Sequence, residues 1–288
     1  MILGTAQDGG VPQLGCGEPR CERARNDERA RRRVTSLLLA DPASGQRWLF
    51  DASPDLPEQL ELARPHPPTR RSSGPRPALF DGVFLTHAHI GHYLGLAQLG
   101  REVYGAQGLA TFGSPRMLEF LRGNAPWRLL VETGALELRE ISPERGVELS
   151  SGLRVSALRV PHRDEFSDTL AFVVRGPRRS LLYLPDIDKW ERWELRLEDV
   201  LAEVDVALVD GTFYADGEIP GRAMAEIPHP FISETLARLA SAPLELRRKV
   251  VFTHLNHTNP ACDLDGAAQR AIRAAGMRVA REGELIEL

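Results

Sequence analysis

Three histidines fall within six residues of the segment FLTHAHIGHYLGL, which spans residues 84–96. The chain has only 8 histidines, so this segment concentrates imidazole groups at one point. His87 and His89 are two apart, and residues two apart on an extended segment point the same way. His92 begins the following helical pattern and can approach the same point from another side. This spacing predicts a metal site built from imidazoles.

Other histidine and aspartate residues follow apolar, strand-like runs elsewhere in the chain. Loops at strand ends are where open α/β sheets build their sites, whereas a buried strand itself favours apolar residues. One polar residue at such a position is ordinary, but several in one chain predict a shared centre. Imidazole and carboxylate ligands suit zinc, iron or manganese. The residues concerned are Asp51, His162, Asp186, Asp210 and His254.

Strand and helix patterns alternate along the chain and must position these side chains. The predicted strands are 34–40, 46–52, 81–87, 153–162, 169–176, 179–186, 204–211 and 248–254. The predicted helices are 54–63, 93–100, 114–122, 188–202, 230–240 and 264–275. The segment 64–78 is rich in Pro, Arg and Ser, cannot bury apolar surface, and is predicted to be a surface loop.

The composition limits the class of protein. The 288 residues, 42% of them hydrophobic, suffice for one large core, and we expect a single domain over residues 1–288. The net charge of −4 lacks the basic excess of nucleic-acid-binding proteins. Three cysteines are too few for a disulfide scaffold and indicate a reducing compartment. With no signal-peptide pattern and no run of about 20 apolar residues, we expect a cytoplasmic protein without a membrane partner.

The segment HAHIGH resembles the HxHxDH motif of the metallo-β-lactamase superfamily and departs from it only at Gly91. Downstream, VPH, YLPD and VFTH place His162, Asp186 and His254 in the order of that family, and LFDASPD matches the early strand whose aspartate, here Asp51, braces the site. The resemblance spans nearly the whole chain. It implies an α/β fold of the αββα sandwich type, with two mixed sheets packed face to face and helices outside.

Four longer segments resemble the family of pyrroloquinoline quinone biosynthesis protein B. They are GTAQDGGVPQLGC, LFDASPDLPEQL, VDGTFY and RKVVFTHLNHTNPACDLDG. Typical members lack a full HxHxDH motif, and the role proposed for them is oxidative, on a tyrosine derived from a peptide. This chain keeps more of the hydrolase histidines than those members, so it resembles a divergent relative.

The superfamily resemblance implies two adjacent metal positions that Asp186 bridges. The first ion would be held by His87, His89 and His162. The second would use the aspartate of the motif together with His92 and His254.

Glycine at position 91 has no side chain, so the second position loses its carboxylate ligand. Three outcomes are open. The second ion is absent or weakly held; or Asp8 or His257 replaces the ligand; or a single metal performs different chemistry. Because the lost aspartate would also have oriented the attacking water, Asp8 is in addition a candidate catalytic base.

Further residues are predicted around the site. Asp51, Asp210, His229 and His257 are candidates for bracing the ligands or contacting substrate, although His229, in IPHPF, is equally explained as a loop or cap residue. Cys16 and Cys21 are candidates for a structural metal. Two thiolates alone are an incomplete tetrahedral site, so simple buried thiols are the alternative.

Three functions fit these residues. The first is a metal-dependent hydrolase with one or two Zn²⁺ ions and catalytic carboxylates at Asp186 and Asp8, acting on a small-molecule or peptide-derived substrate. The second is an iron-dependent oxygenase in peptide-derived cofactor or natural-product biosynthesis, with iron held by His92, Asp186 and His254. Fe²⁺ or Mn²⁺ is also the alternative to zinc at the centre in general. The third is a metal-binding or carrier protein without catalysis, for which Gly91 is the best evidence.

Overall fold

The computed structural model describes residues 1–67, 78–150, 152–219, 221 and 223–288. Within them the chain forms two sheets, and in each sheet the strands lie side by side in chain order. The first contains β1 (Ile2–Gly4), β2 (Ser36–Asp41), β3 (Gln46–Phe50), β4 (Gly82–Phe84), β5 (Leu109–Gly113) and β6 (Leu136–Glu140). The second contains β7 (Val147–Ser150), β8 (Leu153–Val160), β9 (Thr169–Arg175), β10 (Ser180–Leu184), β11 (Val206–Asp210), β12 (Val250–Thr253) and β13 (Arg278–Val279).

Helices connect the strands. The α-helices are α1 (Pro19–Asn26), α2 (Leu56–Leu62), α3 (Ile90–Tyr93), α4 (Pro115–Gly123), α5 (Trp127–Glu132), α6 (Leu197–Ala202), α7 (Ile232–Arg238), α8 (Leu244–Arg247) and α9 (Ala267–Ala274). Short 3₁₀ helices lie at Glu28–Ala30, Leu94–Leu99, Trp190–Arg192, Met224–Glu226 and Pro260–Cys262. In the described part of the chain, none of these helices has the length and apolar composition that crossing a membrane requires.

Both sheets are mixed. The strands from β1 to β3 pair antiparallel and those from β3 to β6 pair parallel. In the second sheet, β7 to β10 pair antiparallel and β10 to β13 parallel. Parallel neighbours end at the same edge of a sheet, so the residues that follow β3, β4, β10, β11 and β12 are brought to two adjoining edges.

Apolar clusters separate four layers. The central cluster joins the inward faces of the two sheets: Phe50 and Phe84 stack at 4.9 Å, Phe84 and Phe112 stack at 4.5 Å, and Phe172 of the second sheet meets Phe50 edge-on at 5.6 Å. Each such pair stabilises the fold by about 0.5–1.5 kcal/mol beyond its buried area. Two further clusters bury the outer faces of the sheets beneath helices. The predicted αββα sandwich is confirmed.

Double coverage explains why the central strands carry continuous apolar runs. In β10, Leu181 and Tyr183 face the other sheet, whereas Leu182 and Leu184 face the helices. All residues of this strand are buried. A strand covered on both faces carries a continuous apolar run instead of an alternating one, which is the pattern in the sequence.

The residues that directly follow two of the strands have an unusual backbone conformation. Asp51, directly after β3, and His254, directly after β12, both have φ of 60°. Positive φ is uncommon for residues other than glycine and stores strain of about 1–3 kcal/mol. Each turn aims its polar side chain into the space where the two sheets meet.

Several predicted elements differ from those observed. The helix predicted over 188–202 is instead the 3₁₀ turn Trp190–Arg192, extended backbone at Trp193 and Arg196, and then α6. The indoles of Trp190 and Trp193 donate to Thr235 and to the Arg159 carbonyl, and these contacts replace a continuous helix. The short strands β1, β5, β6, β7 and β13 and the helices α1, α5 and α8 were not predicted. Of the predicted surface loop 64–78, residues 64–67 are exposed and 68–77 lie outside the described residues.

Candidate metal centre

Three imidazoles converge at the ends of β4 and β8, and we call them the first cluster: His87, His89 and His162. The Nδ1 atom of His89 lies 2.8 Å from Nε2 of His87 and 3.2 Å from Nε2 of His162. A zinc ion with bonds of about 2.0–2.1 Å in tetrahedral geometry separates its ligand atoms by about 3.3 Å. These three nitrogens therefore have the spacing of ligands on one face of an ion.

A second cluster adjoins the first and is formed by Asp8, His92, Asp186 and His254. In the described part of the chain, one atom of each is buried without a hydrogen-bond partner: Asp8 Oδ1, His92 Nε2, Asp186 Oδ2 and His254 Nε2. Leaving one such atom unpaired costs about 1–3 kcal/mol, and native proteins contain few. Four that face one another fit a bound cation.

Asp186 lies between the two clusters. Its Oδ2 atom is 2.9 Å from His92 Nε2 and 3.1 Å from His254 Nε2, and its Oδ1 atom is 3.7 Å from His162 Nε2. Burial would raise the pKa of this carboxyl, but the imidazoles of His254, His92 and His162 outweigh burial and hold it well below its ordinary value. Asp186 is thus an ionised carboxylate in the position of a bridging ligand.

The imidazoles of both clusters use their other ring nitrogen for a hydrogen bond, which fixes the nitrogen that faces the centre. The hydroxyl groups of Thr86 and Thr212 serve two of them, and carboxylates serve the other three. The pairs are His87 with Thr86 (2.9 Å), His89 with Glu165 (3.1 Å), His92 with Asp51 (2.7 Å), His162 with Asp188 (3.3 Å) and His254 with Thr212 (2.9 Å).

Asp51 is the most enclosed of these partners. Its Oδ1 atom accepts from the Thr86 amide at 2.8 Å, and its Oδ2 atom accepts from His92 Nδ1 at 2.7 Å and from the Tyr183 hydroxyl at 3.0 Å. Burial lowers the pKa of His92, but Asp51 and Asp186 outweigh burial and raise it well above its ordinary value. The second cluster therefore attracts positive charge strongly.

A further imidazole, His229, lies beside the clusters and is also buried. Its Nδ1 atom is 2.7 Å from Asp210 Oδ2 and 3.7 Å from Asp186 Oδ1. Burial lowers the pKa of His229, but the adjacent Asp210 carboxylate outweighs it and raises the pKa to about 9. Asp210 is held in turn by the Thr212 amide and hydroxyl. His229 therefore lies in the loop that precedes α7, and its buried side chain reaches the second-cluster residue Asp186.

A cavity of about 790 Å³ adjoins the second cluster at Asp8 and also has His229 and His257 in its wall. Its rim carries opposite charges, among them Arg163 and Glu218. Ligand-binding pockets commonly measure about 300–1,000 Å³, so this cavity has room for a small molecule or a few residues of a peptide.

The structure does not bring His257 to the second cluster, so it is not the replacement ligand that was considered for position 91. Its Nδ1 atom instead lies 3.4 Å from Cys16 Sγ and 3.6 Å from Cys21 Sγ. These three residues, the cysteine cluster, have donor atoms close enough together to hold one metal ion. Burial raises the pKa of the Cys21 thiol. The sequence had suggested only the two thiolates.

Sequence reasoning missed five residues around the candidate ligands. Thr86, Glu165, Asp188 and Thr212 contact their imidazoles, and Tyr183 donates to Asp51. Thr86 directly precedes the first histidine of the motif, and Asp188 follows Asp186 by two residues, so their proximity in the chain was a usable signal. Tyr183 lies within an apolar strand, and Glu165 lies in a loop beyond β8. Nothing local to those two positions indicates their role.

Known sequences resemble this chain over most of its length. Residues 46–255 match the family model of the beta-lactamase superfamily domain. The chain is 32% identical to coenzyme PQQ synthesis protein B of Methylobacterium nodulans, over 100% of this chain and 99% of that protein. It is 30% identical to the protein of the same name from Methylococcus capsulatus, over 98% of this chain and 97% of that one.

Solved structures share the fold. Zn²⁺-bound PqqB from Methylobacterium extorquens superposes with a TM-score of 0.82 at 24% identity, over 100% of this chain and 99% of that one. A diphosphatase from the PhnP family superposes with a TM-score of 0.68 at 20% identity, over 100% of this chain and 96% of that one.

Proposed function

This chain belongs to the beta-lactamase superfamily and, within it, to the family of coenzyme PQQ synthesis protein B, and from that premise we propose that it is a metal-dependent hydrolase. The resemblance predicted from the sequence is confirmed. The observation that carries the proposal is the complete first cluster, with three imidazoles at ligand spacing beside the shared carboxylate of Asp186. An ion held by such ligands would supply hydroxide at neutral pH by lowering the pKa of bound water to about 7.

The charged residues around the centre have complementary roles in this proposal. Asp186 and Asp8 present ionised carboxylates toward the clusters and are the candidates for orienting the attacking water. Asp210 accepts from Nδ1 of His229 and keeps that imidazole protonated. The charge of His229 in the cavity wall stabilises a substrate oxygen that becomes negative during attack.

The proposal includes the ion and the substrate class. We take zinc as the ion, one or two per centre, because imidazole and carboxylate ligands suit it and the similar structure from Methylobacterium extorquens is zinc-bound. Fe²⁺ and Mn²⁺ accept the same ligands. The cavity accommodates a small-molecule or peptide-derived substrate. We propose a cytoplasmic location, and we propose no nucleic-acid or membrane partner.

The test combines metal analysis with a panel of substrates. Natively purified protein is analysed for metal, then assayed on a phosphodiester, a thioester, a lactam and a short peptide, before and after chelation. We expect hydrolysis of one class, lost on chelation, restored by zinc and abolished by His87→Ala. Activity that survives both chelation and His87→Ala would overturn the proposal.

A second candidate is an iron-dependent oxygenase in the synthesis of a peptide-derived cofactor, and the family of the relatives favours it. His92, His254 and Asp186 supply the two histidines and one carboxylate of such a site. That site leaves the first cluster without a role, which is why we place hydrolysis first. Oxygen uptake on a tyrosine-containing peptide, with iron in the native protein, would reverse the order. A carrier without catalysis predicts bound metal and no turnover in either assay.

A further inference from the structure

We infer that Asp8 supplies to the second metal the carboxylate that residue 91 supplies in an HxHxDH motif, so that the ligand is exchanged between the two positions. Residue 91 is glycine because Asp8 fills the space that a side chain at residue 91 would occupy. The inference rests on the proposed metal centre. It adds the source of the missing ligand and a reason for the departure from the motif.

The space beside Gly91 carries the steric part of the argument. A Cβ atom built on Gly91 would collide with Asp8 Oδ1 and would lie 2.9 Å from both the Cα and the Cγ atoms of Asp8. Cβ contacts below about 3 Å do not occur in well-packed proteins, because dispersion attraction turns into overlap. Two of the three atoms belong to the Asp8 side chain and the third is backbone, so a rotamer change of Asp8 cannot relieve the contact. Glycine at position 8 would remove both side-chain contacts and leave only the 2.9 Å contact with Cα, which a small shift of the loop relieves. An aspartate at residue 91 and the present Asp8 exclude each other.

The Asp8 carboxylate points at the same atoms that an aspartate in the motif would serve. Its Oδ1 atom is 3.6 Å from His92 Nε2 and 3.9 Å from His254 Nε2, and it is buried without a hydrogen-bond partner in the described part of the chain. A buried and unpaired carboxylate oxygen between two imidazole nitrogens is placed as a ligand atom.

The loop that carries Asp8 is fastened to the ligand-bearing strand end. The Gln7 amide donates to the Leu255 carbonyl at 2.9 Å, and the Leu255 amide donates to the Thr5 carbonyl at 2.8 Å. The Asn256 side chain also donates to the side chain of Gln7. Asp8 therefore sits on backbone that is tied to the residue following His254. A ligand supplied from this loop is held by backbone hydrogen bonds to the segment that carries His254.

The experiment exchanges the two residues and measures metal affinity, not activity. Four variants are compared with the parent protein by competition with a chromophoric zinc chelator and by the visible spectrum of the cobalt-substituted protein: Asp8→Ala, Asp8→Asn, Gly91→Asp and the double variant Asp8→Gly/Gly91→Asp. Gly9→Ala is the matched control, because it changes the neighbouring residue, and the three atoms nearest to its new Cβ belong to the flexible side chain of Gln13.

We expect Asp8→Ala and Asp8→Asn to weaken zinc binding at the second position by at least about 100-fold, since losing even an outer partner of a ligand weakens metal affinity about 10–100-fold. Gly91→Asp alone should bind no better and melt at a lower temperature. The double variant should recover affinity to within about tenfold of the parent, and Gly9→Ala should match the parent.

Two results would overturn the inference: a folded Asp8→Asn variant that keeps parental affinity at both positions, or a folded double variant that binds no better than Asp8→Ala. Failure of the proposed function is separate from either. Restored binding in the double variant without hydrolysis of any substrate class would refute the hydrolase and support the exchange. Hydrolysis by an Asp8→Asn protein that retains both ions would support the hydrolase and refute the exchange.

Discussion

Replacing Asp51 by asparagine should weaken metal binding at the second cluster without changing a single ligand. Asn keeps the shape of the side chain and tolerates positive φ, so the turn after β3 can persist. Its carbonyl oxygen can still accept from the Thr86 amide. Its amide nitrogen, however, replaces the oxygen that accepts from His92 Nδ1. The imidazole then loses the acceptor that keeps the proton on Nδ1 and leaves Nε2 free for an ion.

The size of the effect follows from the burial of this contact. Asp51 and His92 are both fully buried, so water cannot replace the lost acceptor. A hydrogen bond to a buried charged group contributes about 1.5–3 kcal/mol, and partners of this kind change metal affinity about 10–100-fold. We therefore expect Asp51→Asn to weaken zinc binding at the second cluster by about 10–100-fold. The first cluster should keep its affinity.

The measurement is a competitive zinc titration of the two positions, with the thermal melting of the metal-free protein recorded beside it. Tyr183→Phe is the matched control, because it removes a donor to the same Asp51 oxygen and leaves the acceptor of His92 in place. We expect that control to change affinity by less than about threefold. Equal zinc affinity in Asp51→Asn and in the parent, with both proteins folded, would refute the reasoning.

Three further predictions concern other parts of the structure. Cys21→Ser should remove one metal ion per chain from natively purified protein, measured by elemental analysis, whereas Cys262→Ser should not; equal metal content in both variants would contradict the cysteine cluster. Asp188→Asn should weaken zinc binding at the first cluster about 10–100-fold, because the His162 imidazole loses a carboxylate acceptor. The same zinc titration measures this effect, and an unchanged affinity at the first cluster would contradict the prediction. Gly95→Ala should destabilise the fold by about 1–3 kcal/mol, because its Cβ would collide with the Ser53 carbonyl. Gly123→Ala is the control, since a Cβ there has open space. Equal urea midpoints for the two variants would contradict the predicted clash.

The fold and most of the candidate centre could be predicted because their signals are local. A buried strand that ends in a histidine or an aspartate is legible from a few neighbouring residues, and the order of His87, His162 and His254 along the chain matched one superfamily. The structure brings these residues to one place between the sheets. Their role as ligands stays a prediction until metal binding is measured.

What could not be predicted depends on contacts between residues that are far apart in the chain. His257 meets two cysteines more than 200 positions away, and nothing in HLNH indicates thiol partners. Tyr183 has the pattern of a core residue, and only the approach of the opposite sheet gives its hydroxyl a carboxylate. The helix predicted over 188–202 is interrupted where the indoles of Trp190 and Trp193 donate to Thr235 and to the Arg159 carbonyl, which lie outside that segment.

The spread of the candidate ligands along the chain, from residue 8 to residue 254, has a consequence for synthesis. The amino-terminal sheet emerges from the ribosome first, carrying Asp8 and the HAHIGH segment, while β12 is still to be translated. During that interval the early imidazoles are exposed and can capture a metal with incomplete coordination. If the centre binds metal as proposed, correct metallation has to follow the docking of the second sheet. We expect a chain truncated before β12 to bind zinc weakly and with the wrong stoichiometry.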